Sequence, residues 1–145
     1  MADHLHKQIR AAIVTALTGL TTSGARVYAN RLQPLPDTTS PTLLVTLDDE
    51  TATQATFHTY PIYERELRLS VAAIVKATSA LDDTLDLMSK EVEIALASGI
   101  TVGSRTLDVF YAGMSFEDEQ SDKPVGIKRM SFTIPFTAAA NAPDV

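Results

Sequence analysis

The chain has 145 residues, is 45% hydrophobic and 21% charged, and carries no cysteine and a formal net charge of −6. That length suits one domain, able to bury about 68–70% of its unfolded surface without staples, and the lack of cysteine excludes disulfides and thiolate metal sites. The acidic balance argues against direct nucleic-acid binding, which needs a basic footprint; no apolar run reaches the ~20 residues of a membrane helix; and MADHLHKQIR lacks the apolar core of a secretory signal, so the expected setting is cytoplasmic.

Residues 3–20 predict an amphipathic helix. Leu5, Ile9, Ala12, Ile13, Ala16, Leu17 and Leu20 recur at three- and four-residue steps. Asp3 is the expected N-cap, and Gly19 with the following Thr-Thr-Ser-Gly run ends the element. Residues 25–32 predict a short strand, and 33–41, with three prolines, a loop. The strand expected over 42–50 sets Leu43, Val45 and Leu47 on one face. Residues 51–61 are polar and β-branched and read either as a flexible loop or as a ragged extension into a hairpin.

Residues 62–77 predict the longest strand. Leu67, Leu69, Val71, Ala73 and Val75 line one face; Glu64, Glu66, Arg68 and Ser70 line the other. From Ala72 and Ile74 onward both faces are apolar, which predicts cover on both sides. A second helix is expected over 79–97, with Ser79 and Asp82 resembling a capping box and Asp82 and Asp83 at the positive end of its dipole. Leu81, Leu85, Met88, Val92 and Ala95 form its apolar stripe, Asp86 and Lys90 an i,i+4 pair, and Gly99 its stop.

Residues 106–117 predict one strand, with Leu107, Val109 and Tyr111 on one face and Phe110, Ala112, Met114 and Phe116 on the other. A charged loop, Glu117–Pro124, leads to a last strand over 126–138 that turns Met130, Phe132, Ile134 and Phe136 to the core. Pro135 on its outer face predicts an edge or a bulge, and residues 138–145 are expected to fray. The order predicts an α+β fold: a mixed, mostly antiparallel twisted sheet with two helices packed on one face, in a single domain over 1–145. Ile74 and one face of 107–116 would then lie on an uncovered apolar face that calls for a partner subunit.

Catalytic chemistry finds little footing. There is no Gly-x-Ser-x-Gly elbow and no phosphate-binding Gly-x-x-x-x-Gly-Lys. His4 and His6 are spaced so that a helix would not bring both rings to one face, and His58 falls in a polar segment. The carboxylates at 48–50, 82–86 and 117–122 lack the spacing of a metal loop. No enzyme activity, cofactor or metal is expected. Glu64, Arg65, Glu66 and Arg68 read as a solvated strand face with cross-strand pairs, or as a charged rim that sets register with a neighbouring subunit. The same choice applies to Lys123, Lys128 and Arg129 beside Glu117, Asp118, Glu119 and Asp122.

Taken together, these segments resemble the phage tail terminator family, the tail-completion proteins of the minor tail protein U group. The likeness rests on HKQIRAAIVTALTGL, RLQPLPDTTSPTLLVTLDDE, YERELRLSVAAIV, SALDDTLDLMSKEVEIAL, LDVFYAGMSFEDEQ and VGIKRMSFTIPF, and spans about residues 5–137. It implies a structural virion protein, assembled in the host cytoplasm. Copies would form a hexameric ring that caps the tail tube protein, ends polymerisation and offers a surface to the head–tail connector. A head-closure stopper or a tail tube protein is the alternative of similar texture. Glu64, Arg65, Glu66, Arg68, Ile74, Glu117, Asp118, Glu119, Asp122, Lys123, Lys128 and Arg129 are the expected interface positions.

Overall fold

A computed structural model describes residues 3–29, 41–57, 59–76, 81–119 and 125–143. Helix α1 spans Leu5–Leu17 and buries Leu5, Ile9, Ile13 and Leu17, one stripe at helical spacing. Its N-cap is His4, not Asp3: the His4 ring accepts a hydrogen bond from the His6 backbone N–H at 3.0 Å. Asp3 instead pairs with Lys7 one turn on, at 3.2 Å. Because His4 sits outside the helical turn, its ring comes within 4.3 Å of the His6 ring, which regular helical spacing would have kept apart.

Strand β1 covers Val27–Ala29, β2 Thr42–Gln54 and β3 Ile62–Lys76. The segment after residue 50 resolves as a hairpin: Thr51–Gln54 continue β2 and pair with Tyr63–Glu66 of β3. Helix α2, Leu81–Leu96, buries Leu85, Met88, Val92 and Leu96. Its stripe thus ends on Leu96 rather than Ala95. Asp86 does not pair with Lys90 but accepts from Lys128, on a strand beneath the helix, at 3.0 Å. Ser79 and the capping box fall outside the described residues.

Gly99 stops α2 at φ 83°, and a Cβ there would stand 2.4 Å from the Leu107 carbonyl oxygen. Only glycine fits both the angle and the space. The close approach belongs to a small ribbon that the sequence hid. Strands β4, Ile100–Val102, and β5, Arg105–Leu107, pair with each other, so the single strand expected over 106–117 divides between two sheets. Strand β6, Phe110–Glu119, and β7, Val125–Ala139, complete the main sheet.

The main sheet has the order β1-β2-β3-β7-β6, with β1 parallel to β2 and every other pairing antiparallel. This is the α+β arrangement with both helices on one face. Helix α1 packs over β1 and β2, and α2 over β3 and β7. Between layers lie Leu43, Val45, Leu67, Leu69, Val71, Met130, Phe132 and Ile134, all buried.

Pro135 sits in a strand with neighbours, yet β6 pairs with β7 only from Thr133 to Val125. Two residues past that limit, the missing N–H deprives no β6 partner. Residues 138–143 make contacts with the rest of the fold. Ala138 is buried, Ala140 N–H donates to the Pro61 carbonyl, and the Pro143 carbonyl accepts from Leu5 N–H at 2.9 Å, satisfying an orphan donor of the first turn of α1.

Candidate interaction surfaces

Strand β6 forms one margin of the main sheet. A bulge lies between Tyr111, opposite Phe132, and Gly113, opposite Ser131. One extra residue reverses the alternation, so Tyr111, Met114 and Phe116 share the helix-side face while Phe110 turns to the other. That grouping differs from the even–odd division expected from the sequence. Because α2 reaches only to β7, these rings and the thioether stay uncovered: Tyr111, Met114 and Phe116 are each 48% exposed. On α2 itself, Leu87 and Ile94 also face solvent. At the head of β6 a largely apolar groove opens between Glu93 and Leu96 of α2, Ala97 just past its end, and Val109, Phe110 and Tyr111, with Phe132 also lining it.

The opposite margin is the β2–β3 arm. Strand β1 pairs only with Leu43–Val45, so Thr51–Gln54 have no outer neighbour among the described residues, and all four are exposed. At the tip of the arm Phe57 is 90% exposed and Tyr60 and Ile62 are also open. A polar-looking segment therefore carries the most exposed large apolar side chain among the described residues. The available sign in the sequence was the pair of aromatic residues, Phe57 and Tyr60, among threonines.

The expected interface residues distribute over both faces. Glu64, Glu66 and Arg68 share the face away from the helices. Arg65 lies on the helix side, its guanidinium 6.0 Å from the Phe136 ring centroid. The four therefore do not form one rim. Arg68 makes a bidentate pair with Asp49, its cross-strand neighbour, with one N–O distance of 2.9 Å. The hydrogen bond from Arg68, with its positive charge, holds the Asp49 carboxyl below the usual carboxylate range. Next to it, Asp48 is the extra residue of a β2 bulge and accepts from the buried Ser70 hydroxyl at 2.9 Å.

Ile74 is half-buried between Thr42 and Ile127, not on a broad open apolar face. The surplus apolar surface is on the helix side of β6, because the bulge turned it there. Glu117, Asp118 and Glu119 are strand residues paired with Ile127, Gly126 and Val125 rather than loop residues. Lys128 binds Asp86 beneath α2, and Arg129 lies on the far face opposite Ala72 and Ser115. Asp122 and Lys123 lie outside the described residues, as does His58. Among the described residues no three His, Asp or Glu side chains gather as a metal site would need.

The sequence matches the family model of the phage minor tail protein U over residues 4–136. A chain from the virion of a native gene transfer agent (GTA) particle is similar in structure, with TM-score 0.52, 18% identity and 91% of each chain covered. A second solved structure aligns with TM-score 0.59 and 13% identity over 90% of this chain and 96% of the other. No curated protein matches the sequence. The chain belongs to the phage minor tail protein U family and is a structural component of the virion's tail.

Proposed function

We propose that this member of the phage minor tail protein U family terminates the tail. Copies join into a hexameric ring on the last ring of the tube, end its polymerisation and present the surface on which the head connector docks. Assembly takes place in the host cytoplasm. The observation that supports this reading is the uncovered β6 margin, on a chain whose family builds tails. Half-exposed Tyr111, Met114 and Phe116 on a sheet edge favour burial against another subunit. A ring in which one patch meets a different patch buries every copy's margin and leaves none to extend.

The charged positions then fall on two sides of such a ring. Glu64, Arg65, Glu66 and Arg68 lie at one end of β3, and Glu117, Asp118 and Glu119 at the other end of the sheet, with Lys128 and Arg129 beside them. Strand β3 has 15 residues and runs about 50 Å, so one end can address the tail tube protein while the other addresses the connector or stopper.

Light scattering behind size exclusion, at low and high salt, tests the reading, with negative-stain images of the same peak alone and after adding tail tubes. A ring of about six copies, or tubes with capped ends, is the expected result. Long tubes would reassign the chain as a tube protein. A strict monomer that caps no tube would overturn the assignment.

A further inference from the structure

The two open margins have one property in common. From Phe110 to Phe116 on β6 there is no charged residue, and from Thr51 to Phe57 on the arm there is none either. The chain as a whole is acidic, with a net charge of −6, so separate copies repel one another on average. An edge strand that is long, exposed and uncharged is also what folded proteins ordinarily guard with lysine, proline or a covering loop. Here neither exposed stretch, Thr51–Phe57 or Phe110–Phe116, contains a lysine or a proline. One margin offers a largely apolar groove lined by Leu96, Ala97, Val109 and Tyr111, with Glu93 also on its wall. The other offers two aromatic rings, Phe57 and Tyr60, that rest on little within their own copy.

We propose that the β2–β3 arm of one copy adds to the free β6 edge of the next, with Thr51–Gln54 along the uncharged half of β6 and Phe57 and Tyr60 in the groove at its head. The proposal rests on the ring reading and names the contact that would build the ring. Backbone hydrogen bonds along the two edges supply attachment, and the rings entering the groove supply register. The arm and the groove are different patches, so each copy gives one and receives one. Such a contact is heterologous, and it either closes or grows. The arm carries no charge from Thr51 to Phe57 to meet Glu93 of the groove, so salt changes the strength of the contact little.

Two variants test it. F57D changes a 90% exposed ring and leaves the core untouched; M114D places a charge on the β6 edge. Each is first checked for native thermal unfolding, and F57D serves as the reference should M114D unfold. Both are then examined under whichever condition, free or with tail tubes, gives rings of the wild type. Each variant alone is expected to lose the ring. Mixed in equal amounts they are expected to form a species of twice the 15.6 kDa monomer mass and no larger. An F57D chain still has a sound β6 edge, an M114D chain still has a sound arm, and one good contact joins them. Rings that persist in F57D would overturn the arm contact while leaving the ring reading intact. Mixtures that stay monomeric would also overturn it. A wild type that forms no ring under either condition would remove the ring reading and the contact together.

Discussion

Gly99 shows how one residue can hold two elements in place. It ends α2 with φ 83° and lies where any Cβ would collide with the Leu107 carbonyl. G99A is expected to destabilise the protein by roughly 2 kcal/mol or more, read as a lower urea midpoint with an unchanged slope. Asp49 gives a pH-dependent case. Its folded carboxyl titrates lower than an ordinary aspartate because of the Arg68 hydrogen bond and charge. Its contribution is therefore complete above the ordinary aspartate pKa of ~3.9 and is lost as pH falls through the lower folded value. Both partners are exposed, so the effect is small. In urea unfolding, D49N should lie slightly below the wild type at pH 6 and converge with it toward pH 2. A gap that stays constant across that range would mean the ion pair is not its source.

At the scale of elements, α2 is fastened at both sides. Lys128 reaches Asp86 on one flank. On the other, Glu91 accepts from the Thr22 hydroxyl and from the Thr22 backbone N–H, the latter at 2.9 Å. E91A leaves that part-buried N–H unpaired and is expected to cost about 1–3 kcal/mol, measurable by chemical denaturation. Within the sheet, Leu69 lies at the centre of β3 with no exposed surface. L69A should cost about 2–5 kcal/mol, since the strand pairs on both sides and cannot collapse into the cavity. F57D, on the projecting arm, should leave the unfolding midpoint within about 0.5 kcal/mol of the wild type, because surface positions away from special contacts rarely do more.

For the whole molecule, the layer arrangement explains why the protein would work in company. Two helices over four of five strands leave the fifth with a half-bare helix-side face. That is a property of the assembly of elements and of no one of them. The net charge of −6 keeps separate copies soluble and resists random association. Contacts confined to uncharged edges would then be selected over others by default. The expected signature is a subunit affinity that changes little between low and high salt. Docking on a charged partner through Glu117, Asp118 and Glu119 would instead weaken steeply with salt. Light scattering of the ring and pelleting with tail tubes, each across a salt series, separate the two behaviours.

Periodicity by itself determined the helices, the core faces of β2, β3 and β7, and the α+β class. Alternation of two and recurrence of three to four are local properties of the backbone, and Leu69, Phe132 and Ile13 follow them. The family likeness was also legible, because element order and texture survive where short motifs are lacking. What only the tertiary structure decided depends on neighbours distant in the chain. Nothing local told Asp86 to prefer Lys128, forty-two residues away, over Lys90. The Ala112–Gly113 bulge shows only against β7, and it moved Met114 and Phe116 to the side of Tyr111. The exposure of those three side chains depends on where α2 ends its reach, which no stretch of sequence near β6 can specify.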